Sequence, residues 1–140
     1  MNVVIDTNIW ISGLLWGGPP GQVLRLARQG QITAYTSLVQ LEELARTFNK
    51  PKLQPKLQQL DINANSAMTA IREVTQVIAA PMLPIDRLRD PDDASILAIA
   101  IAATADSLIS GDLDLLTLTE ISGIPILTPQ DFLARYFPSP

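Results

Sequence analysis

Acidic residues follow two strand-like segments that lie about a hundred residues apart in the sequence. Asp6 follows the apolar run at residues 3–5, and Asp112 and Asp114 follow the run at residues 107–110. In an open parallel sheet, ligands bind outside the carboxyl ends of the strands, near the point where the strand order reverses. Carboxylates at such an edge therefore indicate a functional site.

Other acids stand near predicted helix starts. Glu42 and Glu43 open a helix after the next predicted strand, and Asp90, Asp92 and Asp93 open another. Taken alone, each acid has an ordinary explanation as a helix cap, a partner of the helix dipole or a turn residue. An α/β fold, however, would bring all of these groups to one edge of one sheet, where their repulsion opposes folding. The pattern therefore predicts a bound cation.

The sequence narrows the chemistry of that site, because it contains no histidine and no cysteine. Thiol nucleophiles, histidine bases and zinc sites of the Cys/His kind are thereby excluded. Carboxylate oxygens suit hard divalent ions such as Mg²⁺ or Mn²⁺. One or two such ions activate water and stabilise the charge that develops during displacement at phosphorus. The pattern indicates phosphodiester hydrolysis.

The composition predicts a single domain over residues 1–140. Apolar residues make up 47% of the chain and charged residues only 17%, so the placement of charge is informative. A net charge of −4 argues against indiscriminate electrostatic binding of nucleic acid, although it allows contact through metal ions. We find no secretion signal, and the longest apolar stretch, residues 94–105, is too short to span a bilayer. A cytoplasmic protein without membrane association is expected.

Apolar strands alternate with helical patterns along the chain. We predict strands at residues 3–5, 32–35, 108–110 and 124–127, with an extended segment at 77–84. Helix starts are predicted at a Ser37–Gln40 capping box, at Asp90-Pro91 before an apolar helix over 94–104, and at Thr128. The alternation predicts an α/β fold with a central, mainly parallel sheet of four or five strands.

Five motifs, in this order, resemble the PIN domain family, and within it the VapC-like toxins of bacterial toxin–antitoxin pairs. The motifs are Asp6-Thr7-Asn8, Glu43 after residues 37–42, Asp90-Pro91-Asp92-Asp93, the run 110–116 that begins Ser110-Gly111-Asp112, and the run 126–133. The resemblance covers essentially the whole chain. It implies a three-layer α/β sandwich and a Mg²⁺- or Mn²⁺-dependent endoribonuclease acting on RNA. It also implies a homodimer and an antitoxin whose C-terminal segment covers the active site.

Matched position by position, the resemblance assigns four catalytic, metal-binding acids. They are Asp6, Glu43, Asp93 and Asp112. Asp114 matches an accessory acid, and Asn8 and Ser110 match small polar helpers.

Two of these assignments required a choice between neighbouring acids. Glu43 is preferred to Glu42 because the glutamate of the family that the chain resembles directly precedes an apolar residue, here Leu44. Only one of the two can face the site, since adjacent helical residues point about 100° apart. Asp93 is preferred to Asp90 because it lies one turn into the apolar helix, which leaves Asp90 as the N-cap.

The basic and aromatic residues allow two interpretations each. One basic cluster consists of Arg46, Lys50, Lys52 and Lys56. It could steer RNA phosphates toward the acids, or it could be a solvated helix face. Trp10 and Trp16 could stack on bases or line an antitoxin groove, but packing in the core or at a dimer interface is favoured.

Two other functions remain open from the sequence. A receiver-like regulatory domain also places acids at parallel strand ends, but it normally has a lysine on its last strand, and residues 124–128 contain none. A PIN-like fold kept only as an RNA- or protein-binding module is disfavoured, because all four acids are present.

Overall fold

A computed structural model describes residues 1–81 and 91–139 of the chain, the side chains of residues 91 and 92 excepted. The strands are β1 (Asn2–Ile5), β2 (Thr33–Thr36), β3 (Thr75–Val77), β4 (Ser107–Ile109), β5 (Glu120–Ile121) and β6 (Ile124–Leu127). The helices are α1 (Thr7–Leu15), α2 (Gly18–Arg28), α3 (Leu38–Phe48), α4 (Gln54–Gln59), α5 (Ala64–Glu73), α6 (Pro91–Ala102), α7 (Leu113–Leu116) and α8 (Pro129–Tyr136). A 3₁₀ turn, Pro51–Leu53, precedes α4.

The strands form one mainly parallel sheet in the order β3-β2-β1-β4-β6-β5. β5 is antiparallel to β6, and the other neighbouring pairs are parallel. The described sheet has six strands, one more than the upper limit predicted. The additional strand, β5, is only two residues long and turns back through Ser122 and Gly123, both with positive φ. A strand this short has no periodicity that a sequence pattern could reveal.

The strand order reverses between β1 and β4. β2 pairs with one side of β1, and β3 lies beyond β2 on that side. β4 pairs with the other side of β1. Ile5 at the end of β1 lies opposite Ile109 at the end of β4. The next residues, Asp6 and Ser110, therefore lie at the switch point where ligands bind in sheets of this kind.

Helices cover both faces of the sheet, as the prediction of three layers requires. Val3 and Ile5 point into a core shared with α1, α2, α3, α5 and α8. Val4 and Leu108 point into a second core, formed mainly with α6 and α7. This division follows from the alternation of side chains along a strand.

Helix starts agree with most of the predicted signals. Ser37 accepts a hydrogen bond from the backbone N–H of Gln40, and Thr128 accepts one from that of Asp131. The predicted apolar helix begins at Pro91, but Asp90, its predicted N-cap, lies outside the described residues, as does the 82–84 part of the predicted extended segment. Among the described helices, none has the length and apolar character needed to cross a bilayer.

Gly13 allows α1 and α2 to approach closely. A Cβ atom at this position would lie 2.8 Å from Leu24 Cδ2 and 2.9 Å from the backbone oxygen of Pro20. Because the oxygen belongs to the backbone, Gly13→Ala must push the helices apart, and we expect it to lower the free energy of unfolding by about 1–3 kcal/mol. Urea denaturation measures this change.

Gly21 provides a matched control on the facing helix. A Cβ atom at Gly21 would lie 3.4 Å from its nearest neighbour, the Gly13 oxygen, which is ordinary contact. Gly21→Ala should therefore be neutral or stabilise the protein by up to about 1 kcal/mol through helix propensity. Equal effects of the two substitutions would contradict the close approach at Gly13.

Candidate metal centre

Three carboxylates form a compact group at the switch point. Asp93, Asp112 and Asp114 each place a ligand oxygen so that all three oxygens lie within 4.8 Å of one another. Asp93 comes from α6 and is only 5% exposed, whereas the two others flank the start of α7 and are half-buried. Asp112 caps α7, and its Oδ1 accepts a hydrogen bond of 2.8 Å from the backbone N–H of Asp114. Asp114, predicted as an accessory acid, thus belongs to the group itself.

Ser110 connects this group to Asp6. The Ser110 hydroxyl is completely buried and donates a hydrogen bond of 2.7 Å to Asp6 Oδ2. The same hydroxyl oxygen accepts a hydrogen bond of 3.0 Å from the backbone N–H of Asp112. Strand pairing explains this contact, because the backbone N–H of Asp6 also donates to the carbonyl oxygen of Ile109. The carboxylate at the end of β1 is therefore fixed to the loop that follows β4.

Thr7 connects Asp6 to Glu43. Its hydroxyl donates a hydrogen bond of 3.0 Å to Glu43 Oε2, and its backbone N–H donates one of 2.8 Å to Asp6 Oδ1. Glu43 is half-buried and Glu42 is exposed. Asn8 is exposed in the first turn of α1. The sequence pattern indicated no role for Thr7, although its hydroxyl stood inside the Asp6-Thr7-Asn8 motif.

Gln40 holds α3 against the end of β1. Its Nε2 donates a hydrogen bond of 2.6 Å to the carbonyl oxygen of Ile5, and its Oε1 accepts one of 2.6 Å from the Thr36 hydroxyl. All three residues are fully buried. The predicted capping box is therefore only half correct. Ser37 accepts from the Gln40 backbone N–H, but the Gln40 side-chain amide binds β1 instead of the Ser37 backbone. A buried backbone carbonyl at a strand end needs a hydrogen-bond donor, and the Gln40 amide provides one for Ile5. Gln40 lies about one helical turn before Glu43.

The donor set fits a hard divalent cation. Its members are carboxylate oxygens, and the chain has no histidine or cysteine to favour softer metals. Asp6 is joined to Glu43 through Thr7, whose backbone N–H donates to Asp6 and whose hydroxyl donates to Glu43. It is joined to the Asp112 backbone through the Ser110 hydroxyl. The structure thus brings all four predicted catalytic acids to one edge of the sheet, with Asp114 in addition.

A mainly parallel sheet between helices, with acids at its switch point, is the arrangement found in PIN domains. A sequence model of the PIN domain family matches residues 2–114, and the chain belongs to this family. Family membership makes a nuclease the expected class of enzyme and displaces the receiver-like alternative.

Comparison with solved structures confirms the fold. One chain of VapBC2 from Rickettsia felis, crystallised with a DNA fragment from the promoter, superimposes with a TM-score of 0.61 at 19% sequence identity. The match covers 90% of this chain and 97% of that chain. Comparison with the curated proteins finds no match.

Proposed function

We propose that the protein is a metal-dependent endoribonuclease, formed by a single domain over residues 1–140, and that it is the VapC-like toxin of a toxin–antitoxin pair. One observation carries the proposal. The group of Asp93, Asp112 and Asp114 lies at the switch point of a PIN domain, with Asp6 and Glu43 hydrogen-bonded beside it. Three carboxylates with oxygens within 4.8 Å of one another repel unless a cation is bound, and two more acids are linked to them by hydrogen bonds.

In this proposal Asp6, Glu43, Asp93 and Asp112 hold one or two Mg²⁺ or Mn²⁺ ions, assisted by Asp114. Such an ion supplies an activated water and neutralises charge at the scissile phosphate.

The residues around the acids set their orientation. Asp6 receives one hydrogen bond on each oxygen, from the Thr7 N–H and the Ser110 hydroxyl, so its carboxylate plane is fixed. The Thr7 hydroxyl donates a hydrogen bond to Glu43 Oε2 and so orients the Glu43 carboxylate. Asn8, exposed in the first turn of α1, is proposed as a polar helper because it follows Asp6 and Thr7 in the same motif. Ligands that are held in advance lose little freedom when the metal and the substrate bind.

Exposed apolar residues at the site support a protein partner. Leu113 stands between Asp112 and Asp114 and is 76% exposed, and Leu38, at the start of the helix that carries Glu43, is 68% exposed. An antitoxin segment with apolar side chains and a basic group would bury these leucines while neutralising the acids. A homodimer and a cytoplasmic location, where RNA is present, belong to the same proposal.

Cleavage of a randomised single-stranded RNA pool tests the activity. We expect fragments with Mg²⁺ or Mn²⁺, and none with a chelator or with the Asp93→Asn variant. The cleaved sequences also define the preferred site. A folded, metal-binding protein that cuts no RNA would reject the nuclease and favour the alternative of a silent binding module.

A further inference from the structure

Trp16 is a large aromatic side chain held at the surface. It is 59% exposed, and Lys56 Nζ lies 5.6 Å from the centre of its ring. Trp10, in contrast, is 1% exposed and packs in the core. The prediction that the tryptophans serve packing is therefore confirmed for Trp10, whereas Trp16 retains an accessible ring. We call Trp16 and Lys56 together the Trp16–Lys56 platform.

Positive charge is concentrated in the sequence segment that carries Lys56. Residues 44–60 contain four of the ten basic residues, including every lysine of the chain, and no acid. Arg46, Lys50 and Lys52 are exposed, and Lys56 is half-buried beside Trp16. The rest of the chain carries all 14 acids against six basic residues. A protein of net charge −4 thus contains a local surface that attracts phosphate groups.

Two helices connect the platform to the acids. Asp6 is the N-cap of α1 and Trp16 is its C-cap, so the platform lies about 15 Å along the helix from Asp6. α3 packs against α1, carries Glu43 in its first half and places Arg46 nearly one turn further on. A stacked single strand covers such a distance in about four nucleotides.

We propose that the Trp16–Lys56 platform is a binding site for single-stranded RNA, in which a base stacks on Trp16 and the neighbouring phosphates contact Lys56 and the basic residues near it. The inference deepens the proposed nuclease function, on which it rests, by assigning where the substrate is held. The acids attract the scissile phosphate only through a metal, and they repel the other phosphates of the strand. Affinity for a longer strand must therefore come from a separate surface, and aromatic rings with nearby cations provide it without sequence preference.

Charge complementarity favours RNA over a second copy of the chain as the occupant. A two-fold interface places the same surface of both copies together. Lys56 and the basic segment that carries it would then lie against the same segment of the other copy, which is unfavourable. Phosphate groups meet the same surface with opposite charge.

RNA binding without turnover tests the platform. In an Asp93→Asn background with Mg²⁺, the fluorescence anisotropy of a labelled single strand of about 12 nucleotides reports the Kd. Trp16→Leu should weaken binding about tenfold, the effect of losing one stacked base. Lys56→Gln should weaken it about threefold and lower the slope of log K against log salt by about 0.7. Arg135→Gln, which disrupts a second cation–aromatic pair among the described residues, at Tyr136, should bind like the parent protein.

Tryptophan fluorescence gives an independent measurement. Acrylamide should quench Trp16 in the free protein, and added RNA should protect it, while the response should vanish in Trp16→Leu, which retains only the buried Trp10. Parent-like affinity of both platform variants would overturn the proposal. Protection of Trp16 by higher protein concentration in the absence of RNA would also overturn it, because it would show self-association. RNA binding that depends on the platform, without cleavage by the wild type, would reject the nuclease and retain the platform.

Discussion

Asp93→Asn is expected to lower the rate of RNA cleavage by about a thousandfold. Asparagine has the same shape as aspartate, so the substitution removes one charge from the group with Asp112 and Asp114 without creating a cavity. Asp93 is almost fully buried at this group, and solvent does not replace the lost ligand. Initial rates on the preferred RNA sequence measure the effect. Asp106→Asn, the same change at an exposed carboxylate that accepts a hydrogen bond from the Asn2 N–H, should retain full activity.

Metal binding gives a second measurement that does not depend on cleavage. The wild type should gain about 1.4 kcal/mol of stability when Mg²⁺ is present at ten times its Kd, and Asp93→Asn should gain clearly less at the same concentration. Without metal, the variant should be at least as stable as the wild type, because one repelling charge is absent. Thermal unfolding with and without Mg²⁺ provides the comparison. Full activity and unchanged metal response in the variant would show that Asp93 is not a ligand.

Gln40→Leu is expected to lower the free energy of unfolding by about 2–5 kcal/mol. Leucine fills a similar volume but leaves the Ile5 carbonyl and the Thr36 hydroxyl buried without the Gln40 amide. Urea denaturation measures the loss. Gln54→Leu is the matched control. The Gln54 amide also donates to a backbone carbonyl, that of Phe48, but the residue is only half-buried, so water can donate to this carbonyl when the amide is removed. Gln54→Leu should lower the free energy of unfolding by less than about 1 kcal/mol.

The same variant separates the positioning of Glu43 from simple loss of stability. Gln40 fixes α3 one turn before Glu43, so the helix should shift relative to Asp6 when the amide is removed. At a temperature where the variant is still folded, its cleavage should require a higher Mg²⁺ concentration than that of the wild type. A normal metal requirement in the folded variant would limit Gln40 to a role in stability.

Much of the fold could be predicted because its signals are local. Ser37 and Thr128 marked helix starts through hydrogen bonds to residues three positions later, and the last long strand was predicted with its observed bounds, Ile124–Leu127. The edges of the sheet were harder. β3 begins at Thr75, before the predicted extended segment, and β5 is a pair of residues. Short edge strands are defined by their neighbours in space, which a single sequence does not specify.

The acids of the site were found for a different reason. Charge is scarce in this sequence, and apolar runs that end in aspartate are therefore conspicuous. Among the residues that orient the acids, Ser110 was named from the family resemblance, whereas Thr7 and the true contact of Gln40 were not found. Gln40 stands three residues after Ser37, a spacing that suggested a local cap, while its true partner, Ile5, is 35 residues away. The exposure of Trp16 was equally hidden, because apolar neighbours in the sequence suggest burial whether or not the fold provides it.

The hydrogen bond from Ser110 to Asp6 spans 104 residues, and this separation determines when the acidic site can form during synthesis. A ribosome adds roughly 5–20 residues per second, so the amino-terminal acid emerges several seconds before its partner. Nascent chains that end before β4 lack Ser110, Asp112 and Asp114 and therefore cannot assemble the three-carboxylate group. Under the proposed function, the chain would therefore be unable to cut the RNA from which it is translated until its last third has folded back onto its first strand.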